Sequence, residues 1–322
     1  MRAIQVSTVG GPEVLELVEV GMPSPAVDEV LVKVEAAGVN FIDTYLREGR
    51  YPAPLPFVPG QEGAGIVVEV GTAVVGFAVG DRVAWAGTRG SYAEFVCVPA
   101  SGLLKVPDGL SLEDAAAVLA QGLTAHYLAY DTYPIQGGDT VLIHAGAGGV
   151  GLLLTQMAKA LGARVFTTVS TEEKAVLSRA AGADAVIFYT RQNFANEVMR
   201  LTDGAGLPVV YDSVGKTTFE DSLKCLRPRG LMVLFGGSSG AVPAFDLIRL
   251  STMGSLYVTR PTMKDYLRTR AELERRAEDV FGWVVEGRLK VRVGHRYALG
   301  EAAQAHRDLE GRKTTGKVLL TM

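Results

Sequence analysis

Residues 141–151 constrain the fold of this chain more than any other stretch. Val141-Leu142-Ile143-His144-Ala145 is an apolar run of strand length, Gly146-Ala147-Gly148-Gly149-Val150-Gly151 follows it, and an apolar helical pattern begins at once with Leu152-Leu153-Leu154. Three glycines spaced Gly-x-Gly-x-x-Gly between a strand and a helix are what a dinucleotide-binding turn requires. Gly146 permits the tight turn, Gly148 lets backbone approach a pyrophosphate, and Gly151 lets the helix lie close to the strand. The helix N-terminus then offers free N–H groups and the positive end of its dipole to a diphosphate. In a chain with 38 glycines such a turn alone could be ordinary punctuation, so the flanking sequence has to carry the reading.

From 140 to about 258 the flanks alternate. Strand patterns fall at 141–145, 164–169, 185–189, 209–211, 230–235 and 255–258, with helical stretches at 150–161, 172–181, 194–202, 218–225 and 245–252 between them. This series predicts an α/β domain with a doubly wound parallel sheet that takes its ligands at the carboxyl ends of the strands. Ahead of it, 1–122 carries short strands at 29–37, 65–71, 81–85 and 91–98 with Gly and Pro between them, the pattern of a β-rich, barrel-like domain. Two stretches break that pattern. The segment 38–50 carries Asn40, Asp43 and Tyr45 just before Tyr51, and 52–62 is a Pro-rich loop ending Pro59-Gly60-Gln61-Glu62-Gly63. Polar and aromatic residues in irregular backbone beside rigid strands are a usual placement for a binding site. A helix is expected over 112–130 with Ser111 as its cap, and a long charged helix over 263–285. The strand 316–320 is expected to rejoin the first domain.

Composition narrows the function classes. Apolar residues make up 48% of the chain, charged residues 21%, and the net charge is -3, with the basic residues scattered among acids, so no nucleic-acid partner is expected. No stretch reaches about 18 apolar residues and no leader pattern opens the chain, which places it in the cytoplasm with no membrane partner. Cys97 and Cys225 form no C-x-x-C and read as small buried hydrophobes, and His126, His144, His295 and His306 are too scattered to hold a metal. His144, inside the first strand of the glycine-rich unit, reads as a hydrogen-bonded core histidine.

An NAD-selective site places a carboxylate at the end of the second strand, about 20 residues past the glycines. Here that place reads Val169-Ser170-Thr171. Ser170 can donate a hydrogen bond and Lys174 a charge-assisted one to a 2′-phosphate, so NADP(H) is favoured over NAD(H). Lys174 also fits a solvated helix face. Later strand ends bring Tyr189, Asp212-Ser213-Val214-Gly215 and Phe235-Gly236-Gly237-Ser238 to the same crevice.

At this point the residues resemble a known family: the zinc-independent NADPH:quinone oxidoreductases, the zeta-crystallin-like branch of the medium-chain dehydrogenase/reductases. The resemblance rests on Gly38-Val39-Asn40-Phe41-Ile42-Asp43-Thr44-Tyr45, Gly60-Gln61-Glu62-Gly63-Ala64-Gly65, Gly80-Asp81-Arg82-Val83 and Gly122-Leu123-Thr124-Ala125. It continues through the glycine turn, Val210-Tyr211-Asp212-Ser213-Val214-Gly215 and Leu256-Tyr257-Val258-Thr259-Arg260-Pro261, and spans essentially the whole chain. It implies a GroES-like catalytic domain, 1–123 with 262–322, and a Rossmann cofactor domain, 124–261. Zinc-dependent relatives carry Cys and His where this chain has Asn40 and Gln61, so no metal and no Lewis acid for an alcohol are expected.

By the same resemblance NADPH would be held by Asn40, Thr124, Tyr127, Gly146, Ala147, Gly148, Gly149, Val150, Ser170, Lys174, Tyr189, Ser213, Phe235, Gly236, Ser238, Arg260 and Arg312. Lys174, Tyr189 and Arg312 resemble the family's 2′-phosphate clamp. Asn40, Asp43, Tyr45 and Tyr51 would line the substrate cleft: an amide can orient a carbonyl, and tyrosines can stack on a flat ring. Asp43 either orients a neighbour or serves a local cap. The activity implied is direct hydride transfer from NADPH to a quinone. The alternatives are reduction of an α,β-unsaturated carbonyl (an alkenal or enoyl thioester) and a non-catalytic RNA-binding or structural role. A homodimer joined along 255–258 is expected, since an apolar edge strand is costly to leave exposed.

Overall fold

The computed structural model describes residues 1–322 in two compact units, one of Met1–Leu123 with Leu267–Met322 and the other Thr124–Tyr266. No helix in either is long and apolar enough to cross a membrane.

The second unit is a six-stranded parallel sheet ordered Ala185–Phe188, Arg164–Val169, Thr140–Ile143, Leu207–Asp212, Leu226–Leu234, Tyr257–Thr259. The order reverses direction between Thr140–Ile143 and Leu207–Asp212, the switch point at which doubly wound sheets open a crevice. Leu142, Phe166, Val210 and Met232 are fully buried, as strands covered on both faces must be. Helices Gly149–Ala160, Glu172–Ala180, Phe194–Leu201 and Phe219–Lys224 make the crossovers. The expected helix at 245–252 shortens to Ile248–Thr252.

The first unit is built on Glu29–Val39, an 11-residue strand that pairs with three others. Glu62–Val70 runs antiparallel along one side, while Phe95–Pro99 and Lys317–Thr321 share the other. The final strand therefore rejoins this unit as expected, Leu319 opposite Gly38 and Val318 opposite Val39. Val30, Val32, Val34, Trp85, Leu103 and Leu320 form the core against Tyr92.

Two expected segments are corrected. The stretch after Val39 is not irregular: Phe41–Arg47 is a short helix, because the Asp43 carboxylate accepts the Asn40 backbone N–H at 2.9 Å and so ties the first turn. The helix expected over 263–285 is broken into Met263–Tyr266 and Arg270–Val285. Thr269 restarts it, with its hydroxyl and the Glu272 carboxylate exchanging backbone N–H groups in a capping box.

Candidate active site

The glycine turn behaves mostly as its spacing demands. Thr140–Ile143 ends, the chain turns, and Gly149–Ala160 begins with Gly148 as a cap residue that supplies no side chain. A side chain at Gly151 would collide with the Ala145 carbonyl, so glycine there is what brings helix against strand. The tight turn, however, is made by Ala145, at φ 53. Gly146 is needed for another reason: a Cβ there would lie 2.5 Å from the Thr167 Cβ and 2.8 Å from the Ser178 hydroxyl. Past Gly148 the nearest atoms belong only to Ala145, which leaves Ala147, Gly149 and Val150 around a helix start whose first N–H groups lack intrahelical acceptors.

The neighbouring strand ends converge on the same edge. Ser170 follows Arg164–Val169 with no carboxylate, and Thr171 caps Glu172–Ala180 by accepting the Lys174 N–H. Glu172 is paired with Arg179 at 2.6 Å. Tyr189 donates its backbone N–H to Val169, and the Thr190 hydroxyl reaches the Ser170 carbonyl, so Ser170 and Tyr189 sit side by side, Tyr189 38% exposed. On the other side of the switch point, Asp212 accepts the N–H groups of Val214 (2.6 Å) and Gly215 (3.0 Å). Phe235 N–H bonds the Asp212 carbonyl and Ser238 N–H the Ser213 carbonyl. Arg260 closes this loop pair by donating to the carbonyls of Leu234 and Gly236. Ser213, Phe235, Gly236, Ser238 and Arg260 are thus one assembly. Tyr127 is buried with its ring stacked on Tyr266, centroids 4.3 Å apart. Thr124 stands three residues before Tyr127 in the helix Leu112–Tyr127. Arg312 is exposed, in the first unit, with φ 57.

His144 is the hydrogen-bonded core histidine expected. Its nitrogens meet Thr168 and Ser222, each at 2.9 Å, and burial lowers its pKa. Cys225 is buried, whereas Cys97 is only half-buried, because its strand Phe95–Pro99 buries alternate residues. No group of three or more His, Cys, Asp or Glu side chains is disposed to hold a metal.

In the first unit the four residues expected to line a cleft gather on and around the helix Phe41–Arg47. Asn40 is its cap, Asp43 and Tyr45 lie on it, and Tyr51 follows it. The Tyr45 and Tyr51 rings meet edge-on, centroids 6.0 Å apart, and the Arg50 guanidinium lies 5.2 Å from the Tyr45 ring. Behind them runs a buried polar network that the sequence did not reveal. Asp43 Oδ2 accepts from the Tyr92 hydroxyl (3.2 Å), and Tyr92 meets His306 Nε2 at 3.1 Å. His306 Nδ1 faces Arg47 at 3.1 Å, and Arg47 forks onto both oxygens of Glu310. A guanidinium only donates, so His306 Nδ1 accepts and its proton sits on Nε2, pointing at Tyr92. Burial and Arg47 push the His306 pKa down to about 3. Burial raises Asp43 to about 7 against the pull of the Asn40 N–H and Lys317, and its other oxygen, Oδ1, is buried with no hydrogen-bond partner.

Register explains the next contact. Because Ala37 pairs with Gly63 and Val39 with Val318, the sheet brings Glu62 and Lys317 to either side of Asn40. Lys317 and Glu62 form an ion pair with both side chains buried. Asn40 Oδ1 accepts from Lys317 Nζ at 3.0 Å, and its Nδ2 donates to Glu62 Oε2 at 2.9 Å. Glu62 Oε1 takes the Ala120 backbone N–H.

Comparison with known proteins fits both halves of this description. Residues 26–108 match the alcohol dehydrogenase GroES-like domain, and residues 149–277 match the zinc-binding dehydrogenase domain. A quinone oxidoreductase of Pseudomonas aeruginosa is 50% identical over 321 residues, 99% of each chain. The chain belongs to the quinone oxidoreductase family.

Among solved structures, the Escherichia coli quinone oxidoreductase complexed with NADPH superposes over 100% of both chains at 44% identity with a TM-score of 0.98. A 2-haloacrylate reductase of Burkholderia sp. is 42% identical over 331 residues, covering 99% of this chain and 98% of its own. Within this oxidoreductase family the two-part α/β architecture is the one found here, a GroES-like domain with a Rossmann-like domain.

Proposed function

We propose that the chain is a zinc-independent, cytoplasmic reductase that converts quinones to hydroquinones with NADPH. The observations that support the reading are, in the second unit, a Ser170 strand end without a carboxylate and, in the first, an Asn40 amide held at both ends near the Tyr45 and Tyr51 rings, with no metal-ligand set among them. When bound, NADPH would supply a hydride; quinone plus hydride gives the hydroquinone anion, and one proton completes the hydroquinone.

The residues present fit that cofactor. The N–H groups of Ala147, Gly149 and Val150 would cradle the diphosphate, those of Gly146 and Gly148 being given to the Thr168 and Ala145 carbonyls, and Gly148 keeps the approach open. Ser170, Lys174 and Tyr189 would hold the 2′-phosphate. Ser213, Phe235, Gly236, Ser238 and Arg260 would frame the nicotinamide half, with Thr124 and Tyr127 beside it. Asn40 would meet the acceptor carbonyl, Tyr45 and Tyr51 would stack on its ring, and Asp43 holds the helix that carries them. An acceptor already electrophilic needs positioning more than acid catalysis.

Lys174→Ala is expected to weaken NADPH binding about tenfold or more while moving NADH less than about twofold, since one charge-assisted bond to the 2′-phosphate is lost. Fluorescence titration with both cofactors measures it, and equal losses remove Lys174 from the clamp. A second reading is reduction of a conjugated C=C, favoured by the likeness to the 2-haloacrylate reductase, whose substrate name describes an unsaturated acid. Steady-state NADPH oxidation with benzoquinone, naphthoquinone, hexenal and crotonyl thioester separates the two; turnover of the last two alone would sink the quinone reading. The edge strand Tyr257–Thr259, with Tyr257 61% exposed, would pair two copies as a homodimer.

A further inference from the structure

The Glu62–Lys317 pair is an expensive way to hold a fold together. Both side chains are buried, and apolar residues of similar volume in place of such a pair are often as stable or more so. The pair also costs a cap. Asn40 is the cap residue of Phe41–Arg47, yet its side chain makes no capping bond, forgoing the stabilisation that a capping amide gives a helix start. That side chain is instead tied at both ends, Oδ1 to the ammonium and Nδ2 to the carboxylate.

A cation on one side and an anion on the other allow the amide one orientation. Turned over, its Nδ2 protons would face Lys317 and its oxygen would face Glu62. In the allowed orientation one Nδ2 proton goes to Glu62, and the other has only the Gly38 carbonyl at 3.5 Å, the limit of a hydrogen bond. This second proton is the donor that the amide can give to a ligand. Gly38 itself is shaped by the pair: a Cβ there would run into Glu62 Oε2 and come within 2.6 Å of Lys317 Nζ. Backbone, charge and amide are therefore arranged around a single side-chain orientation.

We propose that Glu62 and Lys317 are positioning residues, a buried ion pair that fixes the Asn40 carboxamide so that its loosely held Nδ2 proton is presented to the carbonyl oxygen of the acceptor. This rests on the reading of Asn40 as acceptor-facing. Neither charge touches the acceptor; both act through Asn40.

The test is a double-mutant cycle on the full-length protein with NADPH and benzoquinone. Glu62→Gln/Lys317→Gln removes both charges while keeping hydrogen-bonding groups, and it is made with Asn40 intact and again with Asn40→Ala. With Asn40 intact, kcat/KM for benzoquinone is expected to fall about tenfold; with Asn40→Ala the same change should cost less than about twofold, since coupled groups are non-additive. The NADPH dissociation constant should move little in both. Equal factors in the two backgrounds, or no loss with Asn40 intact, overturn the proposal. Should this pair fail to fold, Glu62→Gln/Lys317→Met, which also removes both charges and keeps an acceptor for the Ala120 N–H, goes through the same cycle with the same outcomes. A wild-type protein that reduces hexenal and leaves benzoquinone untouched counts against the quinone reading alone, and the cycle is then read with hexenal. One that reduces neither overturns the acceptor-facing amide and this proposal with it.

Discussion

Lys317→Met is expected to destabilise the protein by about 3–5 kcal/mol, because it leaves the Glu62 carboxylate buried without its cation. Both side chains of the pair are almost completely shielded, Lys317 at 1% and Glu62 at 0%, so water cannot take over. The loss is not the energy of the ion pair itself. Removing both charges together in Glu62→Gln/Lys317→Met should recover most of the stability, since no uncompensated charge then remains. Urea unfolding of the three variants beside the wild type measures the effect. If the single variant is as stable as the double one, the carboxylate has found another partner and the argument from burial fails.

Asp43→Asn and His306→Gln are expected to tilt the dependence of stability on pH in opposite directions. Asp43 binds its proton more tightly folded, at about 7, than at its ordinary 3.8, mainly because burial disfavours the charge. Its contribution is therefore fully present below about 4 and is lost as pH rises through about 7, by about 1.4 kcal/mol per unit where only the native state holds the proton. His306 does the reverse. Burial and then Arg47 lower it from 6.5 to about 3, so its contribution is present above about 6.5 and is lost as pH falls toward 3. Between about 4 and 6.5 the two slopes oppose each other in the wild type. Asp43→Asn should thus gain on the wild type as pH rises from 4.5 to 7.5, and His306→Gln should gain as it falls from 6.5 to 4.5. Urea midpoints at 4.5, 6 and 7.5 decide it; displacements that are the same at every pH would show that neither group titrates as its surroundings imply.

What was legible in the sequence was local. The glycine turn and the strands around it announce themselves within about 20 residues, because each rests on its own periodicity and turn chemistry. The alternation of Arg164–Val169 and Glu172–Ala180 needed nothing from elsewhere in the chain. Where short-range signals compete, local pattern does not decide the structure. Phe41–Arg47 is too short for a helical pattern to stand out, and its first turn is tied back by Asp43, a residue equally at home in a loop. The break before Arg270 was visible in principle as Thr269 followed three residues later by Glu272, but the charged run on either side masked it.

The candidate site divides the same way. Ser170, Tyr189 and Ser213 could be found because a parallel sheet delivers its strand ends to one edge. Tyr92, His306, Arg47 and Lys317 could not, since Arg47 and His306 are 259 residues apart and the Asn40–Lys317 bond spans 277. The only hint was a charge placed where neighbours are apolar: Glu62 beside Gly63-Ala64-Gly65, and Lys317 ahead of Val318-Leu319-Leu320. Charged residues are seldom fully buried unless paired, so two such residues on separate strands of one sheet are candidates for each other.

The distance along the chain between Glu62 and its cation also bears on how the protein is made. A ribosome delivers Glu62 255 residues ahead of Lys317. Until Lys317 is made the Glu62 carboxylate has no cation, whereas the second unit, contiguous from Thr124 to Tyr266, has its whole sequence before that point. Domains fold as units when their chain is complete. The unit Thr124–Tyr266 is therefore free to mature first, while the unit built on Glu29–Val39 waits for its Lys317–Thr321 strand.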